Sequence, residues 1–171
     1  TLVFTDVQDS TSLWEMSSPI MQKSLKIHNQ EIRKVIEETN GFEVKTEGDA
    51  FMCAFDSAID AINFALLVQI RLMEANWPEE LFKHKSGQIE KNDKNENVFK
   101  GFRVRMGIHT GFPIVEVDPT TEREDYFGPM VNRSARVESK AKGGMIVISD
   151  STHQKIKGRE NELNHKIFMK D

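Results

Sequence analysis

A chain of 171 residues with 38% hydrophobic content is long enough to bury one sizeable core. Its formal net charge is −4 with both signs mixed along the chain, so no basic run points to nucleic acid or to an anionic membrane surface. A lone cysteine, Cys53, excludes an internal disulfide framework and suits a reducing compartment, and no apolar run approaches the roughly 20 residues that span a bilayer.

The opening "TLVFTD" has the β-branched and aromatic content of a short buried strand and ends at Asp6. Beginning without a preceding turn, it reads as the start of a domain cut from a longer protein. In "DSTSLWEM", Asp9, Ser10 and Thr11 are candidate helix caps. Met21, Leu25, Ile32 and Val35, with His28 between them, recur by threes and fours, which predicts an amphipathic helix over Ile20 to Glu38. Phe42 and Val44, then Phe51, Cys53 and Phe55, alternate with polar residues and predict a β-hairpin turning at Glu47-Gly48. A second helix is expected from about Ser57 to Ala75, with Ile59, Ile62, Leu66, Ile70 and Met73 on its apolar face.

Residues 76–100 break the pattern. "KHKSGQIEKNDKNENVFK" is rich in lysine and asparagine and reads as a solvated surface insertion within a single domain spanning 1–171. Alternation returns with Phe102, Val104, Met106 and Ile108, and "PIVEV" reads as the second strand of another hairpin. A helix is expected from about Met130 to Lys142, stopped by Gly143-Gly144, and "MIVIS" as a last strand. Strands mixed with helices that cover one face give an α+β domain around a mostly antiparallel sheet.

Asp6 and Asp49 each stand where the chain leaves a predicted strand. Should the first strand pair beside the hairpin, both carboxylates reach one edge, and carboxylates with substrate phosphates make a Mg²⁺ site. Two ordinary turn aspartates would show the same spacing. Asn132 and Arg136 lie four apart, hence on one helix face. Arginine offers a fixed forked cation for phosphate oxygens and asparagine can orient a sugar, but a plain polar surface pair looks identical. Asp125, in "EDYFGPMVN", is either a turn residue or an acceptor for an exocyclic amine. His109 alternates with apolar positions and reads as a structural histidine. There is no GxxxxGK[ST], HExxH or CxxC pattern.

"VFTDVQDST", "EVKTEGDAFM", "VRMGIHTG" and "DYFGPMVNRSAR" together resemble the successive signatures of a class III nucleotide cyclase catalytic domain, over Thr1 to about Ser149. "VQIRLMEANWPEEL" and "PTTEREDYFGPMVN" are similar to the fungal Ras-responsive adenylyl cyclases, with the trypanosomatid receptor-type cyclases as a second affinity. The resemblance implies a ferredoxin-like, mostly antiparallel sheet with helices packed on it, working as a head-to-tail dimer. It implies that Asp6, Asp49 and the carbonyl of Val7 hold two Mg²⁺ ions, with Mn²⁺ as a substitute. It implies that Lys45 and Asp125 read the adenine of ATP, that Asn132 positions the ribose, and that Arg136 stabilises charge on the α-phosphate. Lys170 is the implied triphosphate-binding lysine. The expected reaction is the conversion of ATP to cyclic AMP and pyrophosphate, with the sites shared across a homodimer and no nucleic-acid partner. Small-GTPase regulation would enter through regions outside this chain, and the domain is expected to be cytoplasmic, within a protein peripheral to a membrane. A catalytically silent nucleotide-sensing or dimerisation module is the alternative.

Overall fold

The structure is a computed structural model and describes residues 1–119 and 122–165. Its centre is a five-stranded sheet in the order β2-β3-β1-β6-β9. The strands are β1 (Leu2–Val7), β2 (Phe42–Glu47), β3 (Ala50–Ala54), β6 (Val104–His109) and β9 (Ile146–Ile148). All neighbours run antiparallel except β6 and β9. Two small ribbons stand apart, β4 (Glu90–Lys91) with β5 (Asn97–Phe99), and β7 (Ile114–Val117) with β8 (Glu124–Phe127).

β1 is central because it is apolar on both faces. Val3 and Val7 join the main core, and Leu2 joins a second cluster on the opposite side. Successive residues of a strand point to opposite faces. Phe51 and Cys53 of β3 therefore face the main core, while Met52 and Ala54 face the second. Over the main face lie α2 (Ser18–Glu38) and α3 (Ala58–Glu74), preceded by the short α1 (Ser10–Met16). Over the second lies α4 (Pro129–Glu138), whose Met130 closes the cluster of Leu2, Val44, Met52 and Ala54. The helices thus cover both faces, not one, because the central strands have apolar side chains to bury on each.

The expected first hairpin is present, with β2 and β3 joined at Gly48-Asp49. Gly48 takes φ 64°, a left-handed conformation that glycine adopts without penalty. Four other expectations are corrected. The β6 hairpin with "PIVEV" does not form, since β9 pairs with β6 at that edge and β7 pairs with β8 instead. Helix α4 ends at Glu138, short of Lys142, because "SKAKGG" offers little apolar surface to pack. Ile59 and Ile62 of α3 are buried as expected, but the buried stripe continues through Ala61, Phe64, Ala65, Val68 and Leu72, leaving Leu66, Ile70 and Met73 only partly buried. Small Ala61 and Ala65, both 0% exposed, lie on the side buried in the core. Residues 76–100 are solvated only in part. Lys91 to Val98 are exposed, but Trp77 and Leu81 belong to the main core, and Trp77 Nε1 donates to the Leu72 carbonyl at 2.8 Å. An unexpected α5 (Asp150–Ile156) follows β9, capped by Ser149 and buried through Ile156. Among the described residues no helix is long and apolar enough to cross a membrane.

Candidate active site

Two groups of side chains gather on the α4 side of the sheet. The first forms where β1 leaves the sheet beside the β2–β3 turn. Asp49 Oδ2 accepts a hydrogen bond from the Val7 N–H at 3.2 Å, which brings its carboxylate to the end of β1. Asp6 lies directly across from Arg105 in the β1–β6 register. Both Nε and Nη2 of Arg105 donate to Asp6 Oδ2, at 2.9 Å for Nε. Arg105 Nε also lies 2.6 Å from Glu138 Oε1, at the last residue of α4. Burial pushes the Asp6 carboxyl above its ordinary range. Arg105 pulls it back, and neighbouring Asp49 adds to the rise. Glu138 is likewise raised by burial, with Arg105 opposing and Asp6 reinforcing.

This arrangement suits a divalent cation. Asp6, raised chiefly by burial and further by its neighbour Asp49, would be stabilised with it by positive charge beyond the single guanidinium present. Among the described residues no group of three or more His, Cys, Asp or Glu side chains could hold a metal by itself. The protein would supply two carboxylates and the Val7 carbonyl, leaving further positions to water and phosphate, as Mg²⁺ prefers.

The second group owes its existence to an irregularity. Glu43 pairs with Cys53 but Lys45 pairs with Met52, so Val44 is an extra residue in β2. Strict alternation would send Val44 and Lys45 to opposite faces. The bulge lets Val44 bury in the second cluster while Lys45, cross-strand from Met52, turns to the same side. There Lys45 Nζ meets the Asp125 carboxylate at 3.0 and 3.1 Å. It also lies 5.8 Å from the centre of the Phe127 ring. Asp125 is fixed by the Tyr126 N–H, which donates to its Oδ1 at 2.8 Å. Lys45 and Asp125 both remain partly open to solvent, so the pair can be approached.

Asn132 and Arg136 are exposed on α4, one turn apart. Among the described residues no hydrogen bond or ion pair joins the first group to the second. Lys170 lies outside the described residues. His109 is buried, its Nδ1 within 2.9 Å of Ser149 Oγ and 3.1 Å of Ser151 Oγ, as a structural histidine should be. Sequence reasoning missed Arg105 and Glu138. Arg105 sits one residue before Met106 in "VRMGIHTG" and shows its importance only once β1 and β6 are placed in register.

Residues 1–170 match the adenylate and guanylate cyclase catalytic domain, and the protein belongs to that family. It is 44% identical over 157 residues to an adenylate cyclase of Mycosarcoma maydis, covering 92% of this chain and 6% of that protein. It is 45% identical over 148 residues to an adenylate cyclase of Podospora anserina, covering 86% of this chain and 7% of that one. The chain therefore spans less than a tenth of the length of these fungal relatives. Among solved structures it resembles an adenylate cyclase of Trypanosoma brucei in its monomeric state, with a TM-score of 0.83 and 27% identity over 94% of this chain and 76% of that one.

Proposed function

We propose that this domain converts ATP to cyclic AMP and pyrophosphate. The Lys45–Asp125 pair, turned onto one face by the β2 bulge, carries the reading. Adenine presents an acceptor at N1 and a donor at its 6-amino group, which match a lysine and an aspartate in turn. Guanine reverses both, and buried groups left unpaired discriminate strongly against the wrong base. The adenylate cyclases of two fungi, similar over most of this chain, support the same substrate.

Lys45 and Asp125 would hold the base, Asn132 the ribose, and Arg136 the α-phosphate as its charge grows in the transition state. Asp6, Asp49 and the Val7 carbonyl would hold two Mg²⁺ ions, or Mn²⁺ in their place. Ions bound there supply Lewis acidity that lowers the pKa of the ribose 3′-hydroxyl and neutralises phosphate charge. The 3′-hydroxyl would give up its proton to solvent as its oxygen bonds to the α-phosphorus, the bond from that phosphorus to the pyrophosphate oxygen would break, and pyrophosphate would depart with the electron pair. Arg105, bound to Asp6 here, would stand close to phosphates held by those ions and could turn its fork to them.

Among the described residues, the proposed base-reading and metal-binding groups make no hydrogen bond or ion pair with each other in one protomer. A head-to-tail dimer would unite them, with Lys45 serving one pocket and Asp49 the other. The crowded turn around Gly48 would thereby feed two sites. Small-GTPase input would act through segments outside these 171 residues.

Cyclic nucleotide production by the purified domain, at rising protein concentration with Mg²⁺ or Mn²⁺ and either ATP or GTP, tests this. Cyclic AMP from ATP alone, at a specific activity that climbs with concentration, is expected. Bound ATP without product under any of these conditions would point to a sensing module. Asp49→Ala should abolish turnover without changing the thermal midpoint by more than a few degrees.

A further inference from the structure

Arg105 stands between two carboxylates, but as placed it directs its hydrogen bonds to only one of them. Its Nε–H is directed at Asp6 Oδ2, at 2.9 Å. Glu138 Oε1 lies closer to the same nitrogen, at 2.6 Å, yet is a buried oxygen with no hydrogen-bond partner. The Glu138 side chain is only 13% exposed, so water does not readily replace the missing donor. Leaving a buried acceptor unmade is costly, and a carboxylate more so than a neutral group. The position of Glu138 is also rigid. A methyl group on Gly107 of β6 would meet the Glu138 backbone nitrogen at 2.1 Å and its Cα at 2.3 Å, so the end of α4 rests directly on the sheet.

We propose that Glu138 is a positioning residue that draws Arg105 off Asp6 when Asp6 takes up a divalent cation. A guanidinium and a metal ion compete for the negative charge of Asp6, whose Oδ2 takes both Arg105 hydrogen bonds. The nearest alternative acceptor for Arg105 is already in contact and unfilled. Transfer to Glu138 converts an unsatisfied oxygen into a charge-assisted hydrogen bond, and this offsets part of the loss of the Asp6 pair. It also holds the remaining guanidinium donors where the phosphates arrive. The inference rests on the reading of Asp6 as a cation ligand. It adds that metal affinity depends on a carboxylate that never touches the metal.

The test is Mn²⁺ binding to the intact domain, followed by electron paramagnetic resonance in the presence of a non-hydrolysable ATP analogue. Glu138→Gln should lower Mn²⁺ affinity about tenfold, within the usual range of coupling between contacting residues. In an Arg105→Gln background, where nothing competes for Asp6, the same change should alter affinity less than about twofold. Equal losses in both backgrounds would mean a through-space charge effect and would overturn the proposal, as would no loss in either. Glu138→Asp keeps the charge but withdraws the carboxylate. It should give a smaller loss of affinity, and unchanged affinity would overturn the proposal even if another variant fails to fold. Asp6→Asn separates the layers. It should abolish Mn²⁺ binding, and full retention would remove the metal reading itself and this inference with it.

Discussion

His28 illustrates how much of this molecule's behaviour resides in single side chains. It is wholly buried in α2, edge-on to Phe51 and Phe102 with ring centres 5.8 Å away in each case. Its Nδ1 lies 2.8 Å from the Asn29 Oδ1 acceptor, so the ring proton sits there, and Nε2 is left buried without a partner. Burial drives the imidazole pKa from 6.5 down to about 4. The folded state thus binds the proton more weakly than the unfolded one. The stability contribution is fully present above pH 6.5 and is lost as pH falls through about 4, amounting to about 3 kcal/mol. Urea unfolding at pH 7.5 and pH 4.5 should show a larger difference for the wild type than for His28→Phe. Equal differences would mean the ring does not carry that dependence. A second residue-scale prediction concerns base choice. A glutamate accepts where guanine N1 donates and a thiol donates where its 6-carbonyl accepts, so, if Lys45 and Asp125 read the base, Lys45→Glu with Asp125→Cys should shift the kcat/KM preference from ATP toward GTP, read from the cyclic nucleotide formed. Lys45 and Asp125 were legible because each lies in a motif whose order along the chain is specific. Arg105 and the buried state of Glu138 were not, since cross-strand register and helix packing define them and neither leaves a trace in local spacing.

At the scale of elements, the β2 bulge and the β6–α4 contact do the positioning. Phe42 and Val44 predicted the hairpin correctly, but alternation could not show that Val44 and Lys45 share a side. Likewise, α2 was legible from its threes-and-fours spacing, while α3, apolar around most of its girth, hid which stripe faces the sheet. Trp77 and Leu81 were masked by polar neighbours, although their size alone favours burial. The close approach of Gly107 to Glu138 yields a direct prediction. Gly107→Ala forces a methyl group into the backbone of α4, and overpacking of this kind costs about 1–3 kcal/mol. The variant should lose that much stability in chemical denaturation. It should also lose cyclase activity beyond the unfolded fraction, because α4 carries Asn132 and Arg136. Full activity in the folded fraction would mean that α4 tolerates displacement.

At the scale of the whole molecule, the β7–β8 ribbon leaves a cluster of apolar side chains open. Every residue of β7 is exposed, including Ile114, Val115 and Val117, with Phe112 before it and Phe127 opposite it also open. Clustered apolar exposure of this kind marks interaction surfaces, and a second copy of the chain would both cover it and complete the pockets. An inactive Asp49→Ala protein and an inactive Asn132→Ala protein should therefore regain up to about a quarter of full activity per site when mixed, the fraction expected when random pairing restores one of two sites in half the dimers. No recovery in mixtures shown to contain heterodimers would refute shared sites. Cys53 makes this pairing unusually easy to watch. It is the lone cysteine of the chain, 0% exposed, and its thiol is pushed well above the usual range by burial. The folded domain is therefore nearly silent toward maleimides. A single cysteine introduced on the surface would take one dye, and two differently coloured preparations would report their encounter by energy transfer, with the native thiol left in place.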